Sequence, residues 1–314
     1  SDNTAVGYNT MRSNTTGRYN TAVGFHSLCN NGSGIWNTAL GTNALKLTTG
    51  NYSTAVGGQA LCANQGGRNT AVGLNAMRLN TSGSCNTAMG DHAMYSNTTG
   101  CQNTASGWYS LFANTTGNSN SAFGWCSLRN NTTGSSNSAF GRFAMRSNST
   151  GSYNNAFGQA AMYNNTTGTE NNAFGWAALY SNTTGIMNTA SGHYALTANS
   201  TASYNTAFGN DTLRYTTTGA QNTALGNGAL KANTIGCRNV AVGNGALYVN
   251  TTGNYNSASG YNALRSNTTG SFNAGFGLSA LSNNSTGVNN VAMGTYALLN
   301  NTVSDNTTSG SYSL

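Results

Sequence analysis

Proline is absent from all 314 residues, and charge is scarce: 12 Lys or Arg and 5 Asp or Glu make up 5% of the chain. Ordinary soluble domains carry about a quarter charged residues. Without proline every main-chain amide keeps its N–H, which strands paired on both sides require. The three histidines, His26, His92 and His193, and the acids Asp2, Asp91, Glu170, Asp211 and Asp305 lie far apart in the chain. No catalytic constellation or metal site is expected from them, and no cofactor. No run approaches the ~20 apolar residues of a membrane span, so membrane insertion is not expected. The opening Ser1-Asp2-Asn3-Thr4 does not read as a secretory signal. Disorder usually joins low hydrophobicity to high net charge, and a net charge of +7 over this length does not fit it.

What fills the chain is a repeat. The string Asn-Thr-Ala-Val-Gly at Asn3–Gly7 returns at Asn20–Gly24 and then every 17 residues, with 16-residue spacings at three places. Eighteen copies are complete and a nineteenth ends at Leu314. The consensus, numbered as columns 1 to 17, is N-T-A-x-G-x-x-A-L-x-x-N-T-T-G-x-x. Column 5 is always glycine, and column 9 is always Leu or Met. A unit this short cannot bury a core alone, so each copy must stack on its neighbours. The expected fold is all-β: a parallel β-solenoid, a β-roll or β-helix of about 18 coils, treated as one domain over residues 1–314. At the strand spacing that is a rod of about 85 Å.

Within a coil, columns 2 to 5 read as a strand, with Ala and Gly (columns 3 and 5) on one face and columns 2 and 4 on the other. Column 4 admits both Phe and Ser, so it reads as a stripe against a second subunit rather than a packed core. Columns 5, 8, 9 and 12 have helical spacing. A short helical turn is therefore one reading of the second half, and an extended or bulged strand the favoured one, because stacked helices need twice the strand spacing. The core ladder is column 9, through Met11, Leu28, Leu45, Leu61, Met77, Met94, Leu111, Leu128, Leu179 and Leu230. Asparagines of columns 1 and 12 are expected to satisfy turn amides and to bond from coil to coil.

The Asn-Thr-Ala-Val-Gly and Asn-Ser-Ala-Phe-Gly strings followed by Gly-x-x-Ala-Leu resemble the β-roll head repeats of trimeric autotransporter adhesins. The whole unit is similar to repeat regions of bacterial and phage tail-fibre-like proteins. That resemblance implies an extracellular, cell-surface or virion-surface fibre, and it transfers no active-site residue. The 17-residue period and the adjacent Ala-Leu pair depart from the adhesin head.

Three features invite a functional reading. Column 10 gathers Arg12, Lys46, Arg78, Arg129, Arg146, Arg214, Lys231 and Arg265, with Tyr95 among its aromatics. It is read either as a stripe for acidic polysaccharide or nucleic acid, or as a solvated edge whose arginine stems cover the core. Column 12 creates N-x-[ST] sequons at Asn14, Asn80, Asn97, Asn114, Asn148, Asn182, Asn199, Asn250 and Asn267, candidates for glycosylation or simply good turns. Of the six cysteines only Cys85 and Cys101 fall in adjacent coils where a bridge is plausible; free thiols are the alternative. The leading expectation is a structural fibre subunit without catalysis, associating with itself as a lateral trimer or an end-to-end filament. Neither end shows a polar cap, and Ser1-Asp2-Asn3 echoes Ser304-Asp305-Asn306, so a segment of a longer fibre is expected. The alternative is a receptor- or glycan-binding shaft, with surface glycans as partners and no nucleic acid. Ice binding by threonine columns is a third class.

Overall fold

The computed structural model describes residues 2–313. Its contacts divide into two compact units, Ser1–Asn154 and Asn155–Leu314. Each is a parallel β-solenoid. The first carries nine three-residue strands, from β1 (Thr4–Val6) to β9 (Ser138–Phe140). The second carries ten, from β10 (Asn155–Phe157) to β19 (Thr307–Ser309). Within each unit every strand pairs with the same columns of the next copy, as Thr104↔Ser121, Ala105↔Ala122 and Ser106↔Phe123 show in the first. In the second, Thr223↔Val240, Ala224↔Ala241 and Leu225↔Val242 do the same. One register serves throughout, column 3 on column 3, because a slip by one residue would turn the small buried column 3 side chains outward and the large column 4 side chains into the core.

The strand covers columns 2 to 4 rather than 2 to 5. Glycine of column 5 ends it by turning to a φ near +130°, as at Gly124 (φ +128°). Only glycine populates that region freely. Position also forbids a side chain, since a Cβ on Gly124 would lie 2.7 Å from the Gly141 carbonyl oxygen of the next coil. Column 5 nonetheless stays in the ladder through its N–H, as Gly124 donates to Ser106 O at 2.8 Å.

The second half of the coil is neither the expected strand nor the helical turn. Among the described residues there is no helix, and columns 6 to 11 form a run of β-turns. Ala76 N–H closes on Gly73 O at 3.4 Å, Arg78 N–H on Asn75 O at 3.2 Å, and Asn80 N–H on Met77 O at 3.1 Å. Columns 7 and 9 of this run are left-handed: Asn75 has φ 57° and Met77 φ 48°. Alternating hand keeps the chain level within its coil, so its amides point along the stacking axis and pair with neighbours. Met77 N–H thus donates to Ala93 O at 2.9 Å. A helix would have bent those bonds back on itself.

The core is narrow. Column 9 is fully buried through Leu28, Leu45, Leu61, Met77, Met94, Leu111 and Leu128 in the first unit, and through Leu179 and Leu230 in the second. Met11, in the outermost coil of the first unit, is half-buried. Against the ladder sit alanines of columns 3 and 8. Where column 3 is glycine, at Gly275, the missing methyl would meet Leu264 Cγ at 3.4 Å, which shows what the other alanines touch. Burial of a leucine side chain contributes about 1.5–3 kcal/mol. That offsets a left-handed backbone costing about 1–2 kcal/mol per residue.

Candidate functional site

The asparagines carry the polar half of the core. Asn114 of column 12 donates its amide to Asn97 Oδ1 at 2.8 Å and to Gly117 O at 3.0 Å. Gly117 O also accepts from Asn103 Nδ2 of column 1 at 2.8 Å, and Asn103 N–H donates to Asn86 Oδ1 at 2.9 Å. One glycine carbonyl therefore clamps the Asn-Thr-Thr-Gly corner to the start of the strand, and both asparagines repeat the link along the stack. This corrects the glycosylation reading. Asn80, Asn97, Asn114, Asn148, Asn182, Asn199, Asn250 and Asn267 are wholly buried. Asn14 is half-buried in the outermost coil, with its amide on Gly17 O at 3.0 Å. The nitrogen that would carry a sugar is the one that holds the corner, so modification there is incompatible with the fold.

The column 10 side chains do form a line along each unit, but they are spent largely on one another. Arg78 Nη1 donates to Tyr95 OH at 3.0 Å, and its guanidinium lies 5.8 Å from that ring. Arg129 sits 5.4 Å over Tyr109, Arg146 5.5 Å from Phe143, Arg214 4.4 Å over Tyr194, and Lys231 and Arg265 both over Tyr248. Lys46 is half-buried and Arg12 exposed. The column 7 rings Tyr109, Phe143 and Tyr194 are partners that the sequence reading missed; the available signal was an aromatic in column 7 of the preceding coil, as Tyr109 before Arg129 and Tyr194 before Arg214, or of the same coil, as Phe143 before Arg146. In the second unit Asp211 neutralises the stripe, meeting Arg214 Nη1 at 2.9 Å and Lys231 Nζ at 3.0 Å. Burial works to raise the Asp211 carboxyl, yet the Lys231 hydrogen bond and the two cations override it and hold it below its ordinary value. Asp211 in turn raises Lys231.

Rings in other columns stack similarly. Phe123 and Phe140 lie 4.8 Å apart, Phe157 and Phe174 5.2 Å, and Trp108 and Trp125 5.6 Å. Such ladders present ring edges, whereas a sugar stacks on ring faces. Columns 2 and 4 hold no charged residue in any copy. Column 4 is turned outward and is substantially exposed, with Met89 at 48% and Phe174 at 43%. The column 4 stripe read as packing against a second subunit is thus an uncharged, exposed sheet face.

Reactive groups remain dispersed. His92 contacts Asp91 through Nδ1 and pairs through Nε2 with the Asn75 amide at 3.2 Å, so its basic nitrogen faces a donor rather than a nucleophile. Among the described residues no three His, Cys, Asp or Glu side chains lie close enough to share a metal ion. All six cysteines are free. Cys101 Sγ instead accepts from Ser84 N–H at 3.3 Å and reaches Thr99 O at 3.3 Å, a coil-to-coil role that serine fills in other copies. Among the described residues no helix is long and apolar enough to cross a membrane. No family model, curated protein or solved structure matches the chain.

Proposed function

We propose that this chain is a structural shaft, a fibre segment whose work is to hold length and stiffness. One observation carries the reading: the hydrogen-bonding groups of each coil are directed at the next copy of itself, through main-chain pairs and two asparagine ladders. A surface location outside the cell accords with the tail-fibre resemblance. Self-association is supported by the uncharged, exposed face of columns 2 and 4, since parallel sheets normally have both faces covered.

Electron microscopy of the purified chain tests this, with filaments longer than one chain and a meridional spacing of about 4.8 Å expected. Particles that stay one chain long at every concentration overturn it. Replacing Phe123 and Phe174 by Glu is expected to abolish lateral association in sedimentation while leaving the fold intact.

A second reading, contact with acidic surface glycans, is supported by Arg12, Lys46, Arg78, Arg129 and Arg265, which meet no carboxylate among the described residues. A glycan-array signal that survives their replacement removes it. Ice binding has less support, because bulky column 4 side chains stand beside the column 2 hydroxyls and break any flat hydroxyl plane.

A further inference from the structure

Two consecutive coils of the first unit are one residue short, and both lose it at the same place. In a full coil two residues separate column 12 from the column 15 glycine, as Thr115 and Thr116 do between Asn114 and Gly117. Only Thr49 stands between Thr48 and Gly50, and only Gln65 between Asn64 and Gly66. The corner is cut back across both coils. A notch of about 460 Å³ opens there, with Thr49, Asn51, Tyr52, Gln65, Gly67 and Arg68 in its wall.

The wall is rich in donors without acceptors. Along column 16 a side-chain oxygen of the next coil commonly takes the main-chain N–H: Asn51 Oδ1 takes Ile35 at 2.9 Å, Ser84 Oγ takes Gly67 at 3.2 Å, and Ser135 Oγ takes Asn118 at 3.0 Å. Position 67 is glycine and offers none. A Cβ there would lie 3.1 Å from Asn51 O and 3.7 Å from Asn51 N, whose N–H meets no acceptor among the described residues. Thr49 N–H is likewise unpaired, although Gln65 N–H at the same point of the next coil reaches Thr81 O at 2.7 Å. Among the described residues Arg68 has no carboxylate or ring against its guanidinium, and no acidic side chain lines the notch.

Tyr52 supplies the other half. In the first unit stacking down column 17 joins Tyr19 to Trp36 at 4.6 Å and does not continue to Tyr52, whereas in the second unit Tyr255 and Phe272 of the same column stack at 5.0 Å. Tyr52 is 53% exposed and has no ring on either face among the described residues. Tyr153 and Tyr204 of the same column are also exposed, but only Tyr52 lies in the wall of the notch.

We propose that this notch is a subsite for an acidic sugar, a pyranose bearing a carboxylate. Arg68 and the N–H groups of Asn51 and Thr49 hold the carboxylate, as guanidinium forks and paired main-chain amides do elsewhere. The C–H face of the ring lies on Tyr52. A bare anion needs no aromatic face, and a neutral sugar needs no guanidinium; the notch has both. The site is separate from column 10 and asks nothing of the shaft reading.

Calorimetric titration of the full chain with methyl glucuronoside, its uncharged methyl ester and sodium acetate tests the assignment. Saturable binding of the uronate is expected, with the ester and acetate at least about tenfold weaker. Arg68→Met and Tyr52→Ala are each expected to weaken uronate binding by about tenfold or more. Gly67→Ser installs the residue that column 16 uses at Ser84 and Ser135, caps Asn51 N–H, and is expected to weaken binding while the circular dichroism spectrum of the solenoid is retained. Equal affinity for ester and uronate overturns the proposal, as does acetate binding as tightly as the uronate. So does unaltered binding in all three variants, or no saturation up to about 50 mM, a range that admits even a single weak contact.

Discussion

Asparagine is the residue on which this fold turns, because its side chain offers a donor and an acceptor at once. In column 12 the donor serves both the corner glycine and the preceding coil, and the acceptor waits for the following one. The ladder breaks where the column changes. Asn199 Oδ1 is buried without a partner because the next copy has Thr216, whose hydroxyl accepts from Asn233 at 3.3 Å but sends no amide back. A buried acceptor left unpaired costs about 1–3 kcal/mol. Thr216→Asn is therefore expected to raise stability by about 1 kcal/mol, read as a higher melting temperature of the second unit.

At the scale of the element, the unusual feature is a run of turns built from ordinary residues in left-handed conformations. Glycine already occupies column 7 at Gly228 and Gly245, with φ of 66° and 69°. Ala160 sits in that column at φ 57°. In a helix Ala→Gly would cost about 1 kcal/mol. Here Ala160→Gly is expected to be neutral or stabilising in chemical denaturation, and a loss of stability of that size would restore the helical reading.

The Asp211 triad joins elements of neighbouring coils and sets a pH window. A carboxyl lowered by folding stabilises above its unfolded value, near pH 4, and loses that as pH falls through the lower folded value. Lys231, raised by folding, contributes below its unfolded value near pH 10 and loses it as pH rises through the higher folded one. With both side chains partly exposed the contribution is below about 1 kcal/mol. Asp211→Asn is expected to flatten both slopes in melting temperature against pH.

At the scale of the whole molecule, stability is a sum over coils and the contacts between them. Column identity matters more than chain position, so a complete copy is dispensable where a fraction is not. Deleting residues 104–120 joins Asn103 to Ser121 and keeps every column in register. That variant is expected to keep its circular dichroism spectrum and to melt within a few degrees of the parent, since only one repeat's share is lost. Deleting residues 108–115 instead strips one coil of Leu111 and Asn114 while keeping its strand, and is expected to lower the melting temperature of the first unit more than the whole-repeat deletion does.

Period, in-register stacking, the leucine and methionine ladder and the asparagine links were all legible in the residues, because a column repeated eighteen times reports its own constraint. Three things were not. The spacing of Gly, Ala, Leu and Asn resembles a helix, since a string of letters does not record the sign of φ, and left-handed Leu is tolerated only where a neighbouring coil takes its amide. Asn-Thr-Thr matches a sequon, but which way the amide points depends on Gly117 and Asn97, one near in sequence and the other a full coil away. The 16-residue spacings were visible, yet a missing residue becomes a notch only when two shortened corners lie one upon the other with glycine at position 67. Repetition determines what must stack; the hand of each turn and the direction of each side chain follow from hydrogen bonds made to the next coil.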